Sequence, residues 1–297
     1  MEKRCRSMRF ITVALLLFAF STSFTTALAQ TSPYEALRLA VDDSQRLIAH
    51  QDLVSYVSQT LDNCSSKEEV MKVMKDWPFG GASAGSSKDW AIVLTWNSES
   101  FAREQLYGGF VIFSNNKSDN GWSYVELVHN AKEDVLDDGR SYRTDDWTGA
   151  LYYQMILKYD GKTPVYTLLG WDGADGMVTR KVLETMSINN GRVRIGVPYI
   201  DNEKGLKKRH VLEYADVVQV TLKYEEENER IVLDRLAPSD PSLQGQTPFY
   251  GPTMVYDAYV WEDDKWVFTS DVEVKNTKNR KDKRPYNDPR PNRPRRK

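Results

Sequence analysis

The spacing of the apolar residues predicts helices near the N-terminus and strands over most of the remaining chain. Ser32-Pro33-Tyr34-Glu35 combines a capping box with a proline at the first helical position, which is typical of a helix start. The apolar residues that follow have near-helical spacing, at Leu37, Val41, Leu47 and Ile48. We therefore predict a helix from Pro33 to about Leu61, either continuous or broken near His50.

A second, shorter helix is predicted a few residues later. Ser65 and Ser66, followed by two glutamates, indicate its start, and Pro78 indicates its end. Its apolar face consists of Val70, Val73, Met74 and Trp77. Because residues 80–88 are mostly Gly, Ser and Ala, we interpret them as a flexible linker that follows a helical segment at 30–79.

Between residues 89 and 274 the apolar residues recur with a period of two. One example is the series Trp90, Ile92, Leu94 and Trp96. Such alternation is typical of strands with one buried face, and Asn120-Gly121 and Asn190-Gly191 are hairpin dipeptides. We predict about ten to twelve strands in this antiparallel β domain. The predicted fold class is mainly β, an antiparallel sandwich or curved barrel-like sheets with a short N-terminal α-helical segment, α+β overall.

Residues 1–29 have the pattern of a secretory signal peptide. Four basic residues precede an apolar run of 11 residues from Phe10 to Phe20, which is shorter than the ~20 residues that a membrane-spanning helix needs. Ala27-Leu28-Ala29 fits a cleavage site after Ala29. We therefore expect an exported protein without a transmembrane anchor, located in the periplasm, associated with the outer membrane, or secreted. Cleavage leaves Cys64 as the single cysteine, so no intramolecular disulfide is expected.

The net charge of −2 is an average over three segments of very different charge. Four basic residues and one acidic residue give positions 1–29 a charge of +3, and eleven basic and two acidic residues give positions 275–297 a charge of +9. The residues between these segments therefore carry −14. With four prolines and one aromatic residue, positions 275–297 are predicted to be a disordered basic tail.

The tail has two interpretations. It is either a solubilising extension or an attachment to an envelope protein, an acidic glycan or another polyanion. Nucleic acid is not an expected partner, because an exported protein rarely meets it. The composition also argues against a polytopic membrane protein, since 28% of the residues are charged.

Three sequence blocks resemble a known family. They are Trp147–Tyr153, Tyr166–Gly173, and Asp240–Gln246 followed by Phe249–Pro252, together with Lys207–Val211 and Trp266. These blocks are similar to an uncharacterised family of secreted proteins from gliding and anaerobic Gram-negative bacteria. The resemblance runs from about Asp89 to Asn276 and implies an envelope or secreted location in a bacterium. It implies no activity, because none is established for that family, and the basic tail departs from the family pattern.

The sequence poorly matches two familiar kinds of site, the nucleophile motif of serine hydrolases and a histidine-based zinc site. Gly81–Gly85 fits the G-x-S-x-G pattern of serine hydrolases, but a helix is predicted before it and a strand after it, which reverses the order that exposes the serine. Ser83 is therefore not expected to be a nucleophile. His50, His129 and His210 lie in separate segments and lack the local pairing of zinc ligands, so neither a metal site nor a catalytic residue is assigned.

The remaining candidates are turn carboxylates with aromatic residues beside them. Trp171, Asp172 and Asp175 share one turn, and Trp147 follows the acidic loop at 133–146. Such residues can bind a glycan or peptide, and oxygen-rich turns can bind calcium, whereas their ordinary roles are core packing and capping of turn amides. We predict a binding site at Trp171, Asp172, Asp175 and Trp147, with calcium as the one candidate cofactor.

These features favour an exported, non-enzymatic, envelope-associated or secreted protein that acts in binding or assembly. The alternative is a secreted hydrolase acting on glycan or peptide. The two hypotheses differ in whether a concave pocket contains converging carboxylates or a nucleophile in contact with a base.

Overall fold

The computed structural model describes residues 32–85, 88–133, 135–201 and 205–274. The predicted signal peptide at 1–29 and the predicted basic tail at 275–297 lie outside the described residues. The elements below all belong to one compact unit that begins at Pro33. The described part of the chain contains three α-helices: α1 (Pro33–Leu39), α2 (Asp43–Asp62) and α3 (Lys67–Met74).

The described residues also form sixteen strands. Their bounds are β1 Gly81–Ala84, β2 Ala91–Glu99, β3 Gln105–Ser114, β4 Trp122–Val128, β5 Tyr142–Arg143, β6 Leu151–Asp160, β7 Thr163–Asp172, β8 Val178–Asn189, β9 Arg192–Ile195, β10 Ile200–Asp201, β11 Leu206–Lys207, β12 Arg209–Ala215, β13 Leu222–Glu225, β14 Arg230–Pro238, β15 Tyr250–Glu262 and β16 Lys265–Val272. Fifteen of them follow residue 89, more than the ten to twelve predicted, because β5, β10 and β11 are two-residue strands that carry no periodic signal.

The strands form three sheets. The first has the antiparallel order β1-β2-β3-β4. The second has the order β5-β9-β8-β7-β6, and β12 also pairs with β8, so that β9 and β12 share one edge of that long strand. The third has the order β11-β10-β16-β15-β14-β13, in which only β10 and β16 run parallel. The predicted fold class is confirmed: the protein is mainly β and antiparallel, one sheet is curled into a half-barrel, and a short helical segment lies at the N-terminus.

The helices and the three sheets stack as four layers with three apolar cores between them. The helices cover one face of the first sheet, the second sheet covers its other face, and the third sheet covers the far face of the second. Representative pairs that share a core are Val57 with Ile92, Val93 with Leu168, and Leu169 with Tyr259. The helical segment is therefore a layer of the same unit as the β domain.

The strands of the inner layers, including β2, β3, β7 and β8, are buried on both faces, which corrects the prediction of one buried face. Ile92 of β2 faces the helices and its neighbour Val93 faces the second sheet, and Leu168 and Leu169 of β7 divide in the same way between the two cores that flank the second sheet. A strand in an inner layer needs apolar residues at every position rather than at alternate ones.

The helix and linker predictions also need correction. The chain breaks at residues 40–42 rather than near His50, and Asp42 caps α2 by accepting a hydrogen bond from the N–H of Gln45 at 2.8 Å. Residues 81–84, predicted to belong to a flexible linker, form β1 and pair with β2. Ser83 lies inside this strand, opposite Ile92. Among the described residues, no helix is long and apolar enough to cross a membrane.

Candidate functional site

A polar pocket of about 580 Å³ opens beside the turn that follows β7. We call it the Tyr107 pocket. Its wall combines residues from α2, β3, β7, β8 and the loops that follow β4, β5 and β7. They include Arg46, Tyr107, His129, Glu133, Thr148, Asp172, Asp175 and Arg180. This volume is within the range of small-molecule sites in proteins.

Tyr107 and Asp172 form the centre of the pocket wall. The Tyr107 hydroxyl donates to Asp172 Oδ1 at 2.8 Å and accepts a hydrogen bond from the N–H of Gly173 at 2.9 Å. Asp172 Oδ2 accepts from Arg180 Nη1 at 3.2 Å, and Arg180 Nε donates to Glu213 Oε2 at 2.6 Å. The four side chains form a continuous hydrogen-bonded chain that holds each polar group in one orientation.

The charges of this chain follow from its burial. Burial and the neighbouring Asp172 carboxylate raise the pKa of Tyr107, so the phenol remains protonated and acts as a donor. Burial alone would lower the pKa of Arg180, but the hydrogen bond with Glu213 and the charge of Asp172 outweigh it and raise that pKa. The chain therefore contains one cation between two carboxylates.

His129 is held at the same wall by two backbone groups. Its Nδ1 accepts a hydrogen bond from the N–H of Tyr107 at 3.3 Å, and the ring bonds to the backbone of Thr148. Burial lowers the pKa of His129, opposed by Asp172 and by the bond to Thr148. The backbone of two different segments thus fixes the imidazole. The backbone approaches closely here because Gly149, at φ +88°, has no side chain: a Cβ would lie 2.2 Å from Tyr107 Cδ2.

Three buried polar atoms of the pocket residues have no hydrogen-bond partner in the described part of the chain: Arg46 Nε, Thr148 Oγ1 and Glu133 Oε2. Glu133 Oε2 is nevertheless in an ion pair with Arg140 Nη1 at 2.7 Å, so the two groups without any partner are Arg46 Nε and Thr148 Oγ1. The other nitrogens of Arg46 are bound, Nη1 to the carbonyl of Glu104 at 3.0 Å and Nη2 to Asp43 at 3.1 Å. Buried polar groups in folded proteins are nearly always hydrogen-bonded, so an unsatisfied donor and hydroxyl at one pocket indicate a place where a ligand can complete the pairing.

The structure divides the four residues predicted as a binding site. Asp172 and Asp175 both line the Tyr107 pocket. Asp175 accepts hydrogen bonds from the N–H groups of Met177 and Val178, and these bonds lower the pKa of its carboxyl. Trp171 is only partly buried and is not among the residues that line this pocket.

Trp147 is not part of any exposed surface. Its ring is fully buried in the core between the first and second sheets, and its Nε1 donates to the Tyr152 hydroxyl at 3.0 Å. The prediction that Trp147 contacts a ligand at the surface is therefore wrong. The sequence pattern of a tryptophan beside an acidic loop does not indicate whether its ring points outward or into the core.

Within the described ranges, no three His, Cys, Asp or Glu side chains are grouped so that they could hold a metal ion. Calcium at the Asp172 turn stays a prediction, and the guanidinium of Arg180 at 3.2 Å already neutralises the carboxylate there. Cys64 is buried and its pKa is raised by burial, which is the reverse of what an activated thiol needs.

Comparison of the chain with protein-family models, with curated proteins and with solved structures found no match. The family resemblance carried by the three sequence blocks therefore remains a prediction.

Proposed function

We propose that this protein is exported and acts as a binding protein of the bacterial envelope or of the secreted fraction, with the Tyr107 pocket as its ligand site. The proposal includes membership of the envelope family suggested by the sequence blocks. The observation that carries the ligand site is the pairing of a ligand-sized polar pocket with two unsatisfied buried groups, Arg46 Nε and Thr148 Oγ1. Both groups can bond to hydroxyl oxygens, which favours a hydroxyl-rich ligand such as an oligosaccharide.

Binding fits the pocket better than hydrolysis. A hydrolase would need a free carboxylate or base. Asp172 is held by Tyr107 and Arg180. Asp175 is held by two backbone amides, and Glu133 by the guanidinium of Arg140. The ring of His129 bonds to the backbone of Tyr107 and of Thr148. These fixed groups suit the orientation of a bound ligand.

The test is a matched pair of threonine substitutions. Thr148→Val removes the unsatisfied hydroxyl in the pocket, and Thr163→Val removes an exposed hydroxyl at the opposite end of the strand that leads to Asp172. The mature protein is screened on an array of defined oligosaccharides, and the strongest binder is titrated calorimetrically. We expect Thr148→Val to weaken binding about fivefold, the equivalent of one hydrogen bond, while Thr163→Val leaves it unchanged. Equal affinity of all three proteins would contradict the pocket assignment.

The export part of the proposal is tested separately. Mass spectrometry of the protein from the envelope or medium of its host is expected to give Gln30 as the first residue, since the predicted cleavage follows Ala29. An intact N-terminus in a soluble cell extract would contradict it.

A further inference from the structure

A second, larger groove lies on the sheet edge formed by β5 and β9. We call it the Arg194 groove. It has a volume of about 970 Å³ and shares no lining residue with the Tyr107 pocket. Its charged residues are Arg143, Arg192 and Arg194 against the single carboxylate of Asp145, and its other polar side chains are Thr144, Ser187, Asn189 and Asn190. The groove is thus locally basic on a segment, residues 30–274, that carries −14.

The hairpin of β8 and β9 sets two of the arginines side by side. Asn190 and Gly191 have φ values of +52° and +78°, the left-handed conformation that a tight hairpin turn requires and that the Asn-Gly dipeptide predicted. After this turn Val193 is buried while Arg192 and Arg194 are exposed on the same face. At 3.2–3.4 Å of rise per residue, their Cα atoms are about 6.6 Å apart.

The third arginine faces them across the sheet. Arg143 of β5 is the direct antiparallel partner of Arg194. Cβ atoms of directly opposed residues are ~5 Å apart, and like charges in this arrangement destabilise a sheet. The neighbour of Arg194 on the other side is Ser187, which carries no charge, whereas Arg143 is itself partly neutralised by Asp145, whose Oδ1 accepts a hydrogen bond from Arg143 Nε at 2.8 Å. Lys117 adds a further positive charge at the rim, where it donates to Asn190 Oδ1 at 3.0 Å.

Two of the three arginines of the groove differ from most other arginines of the described protein. Of the eleven arginines in the described ranges, eight form ion pairs. Arg192 and Arg194 are two of the three that do not, and Arg38 on α1 is the third. A fold with an excess of carboxylates therefore leaves two guanidinium groups unpaired in one groove, beside a third, that of Arg143, which is paired with Asp145.

We propose that the Arg194 groove binds an acidic polysaccharide. Its arginines would take the carboxylate or sulfate groups through paired N–H donors, and the amide and hydroxyl side chains would take the sugar hydroxyls. An extended anion suits three guanidinium groups arranged along and across two strands better than a single small ion does. The choice of a polysaccharide among polyanions rests on the proposed export, whereas the groove is independent of the Tyr107 pocket and of the predicted basic tail.

The experiment uses the full mature chain and a galacturonate decamer as the probe. The groove variant is Arg192→Gln/Arg194→Gln. A charge-matched control, Arg280→Gln/Arg284→Gln, removes two positive charges from the predicted tail instead. Affinity is measured by fluorescence anisotropy over a range of salt concentrations, and folding of each variant is checked by thermal unfolding.

We expect the groove variant to bind the decamer at least tenfold more weakly than wild type at low salt, and to reduce the slope of log affinity against log salt by roughly two, one for each charge removed. The tail control is expected to bind the decamer less than threefold more weakly than wild type. The groove variant should unfold at the same temperature as wild type or higher, because it relieves the repulsion with Arg143. If that double variant fails to fold, Arg192→Gln alone, which leaves the opposed pair intact, is expected to weaken binding about threefold.

Three results would overturn the proposal. Equal losses in the groove variant and the tail control would show that any positive charge suffices. Undiminished binding by the groove variant would place the polyanion elsewhere. Salt-sensitive self-association in sedimentation velocity that disappears in the groove variant, without any effect on the decamer, would show that the groove binds the acidic surface of a second copy. In each case the oligosaccharide affinity of the Tyr107 pocket is a separate readout, so its outcome is not confused with that of the groove.

Discussion

The most demanding test of the fold concerns an ion pair in its interior. Arg209 of β12 lies directly opposite Glu184 of β8, and neither side chain is exposed at all. Arg209 Nη2 donates to Glu184 Oε2 at 3.1 Å, and its Nη1 donates to the carbonyls of Asp137 and Arg140. The guanidinium also lies 4.5 Å from the centre of the Tyr142 ring.

The two single substitutions are expected to differ in size because they leave different partners behind. Arg209→Met leaves a buried carboxylate whose remaining partner is the Tyr152 hydroxyl, so it should lower the free energy of unfolding by about 4 kcal/mol. Glu184→Gln leaves a cation that keeps two carbonyls and an aromatic ring, so it should cost about 2 kcal/mol. The double variant contains no unpaired buried charge and should cost about 3 kcal/mol, less than Arg209→Met alone.

Urea unfolding at pH 7 of the four proteins gives the coupling energy directly. A double variant that is destabilised by about 6 kcal/mol, the sum of the two single effects, would refute the argument that an unpaired buried charge causes the loss. The m-values must agree among the variants for the comparison to hold.

Three further effects follow from buried or strained positions. Burial and the nearby Lys207 lower the pKa of His210 to about 4, so the unfolded chain, with a histidine pKa near 6.5, binds the proton first as the pH falls. The contribution of His210 to the free energy of unfolding should therefore decrease by about 3 kcal/mol between pH values above 6.5 and below 4. Urea unfolding of His210→Gln should show a loss over this range that is smaller than that of wild type by about this amount. Gly108→Ala should lower the free energy of unfolding by about 1–3 kcal/mol, because the added Cβ would lie 2.5 Å from His50 Cε1. A wild-type melting temperature for this variant would contradict the close approach of α2 to β3. Gly191→Ala should cost about 1 kcal/mol because φ is +78° there, whereas a substitution without effect would argue against the tight hairpin turn.

Local signals in the sequence predicted the elements that local interactions form. The capping serine of α3 is Ser66, which accepts a hydrogen bond from the N–H of Glu69 at 3.2 Å as the pattern indicated. The Asn190-Gly191 turn joins β8 to β9 with paired registers up to the turn itself. Each of these features depends on residues no more than four positions apart, so the pattern alone is informative.

Local signals were insufficient where several positions fit a helix equally well and tertiary packing decides which of them are buried. Leu47 and Ile48, whose spacing helped to predict the first helix, are 50% and 60% exposed, and the buried face of α2 contains Leu53, Val57 and Leu61. Both sets have helical spacing, and the break at residues 40–42 decides which one faces the sheet. Asp42 was available as a capping signal for that break.

The Tyr107 pocket shows why a site is harder to predict than a strand. Asp172 and Asp175 could be predicted from the sequence because an Asp-Gly turn is a local pattern. Tyr107 could not, because it lies 65 positions before Asp172. Arg180 reaches Asp172 because the two are direct partners in the pairing of β7 with β8. Only the strand register brings these residues together, and no spacing in one sequence encodes the contact between Tyr107 and Asp172.

The distribution of charge links the two proposed sites to the surface as a whole. Most arginines of the described protein are neutralised by carboxylates of the same fold, including Arg180 in the Tyr107 pocket and the fully buried Arg209. The remaining carboxylates give residues 30–274 their charge of −14, which repels a polyanion at long range and weakens the positive potential of any single arginine. Attraction at the Arg194 groove must therefore act within about 10 Å at 0.1 M salt, where several guanidinium groups are close together. A polyanion that fits the groove can gain from all of them at once, whereas one that cannot follow the two strands meets a surface of its own sign.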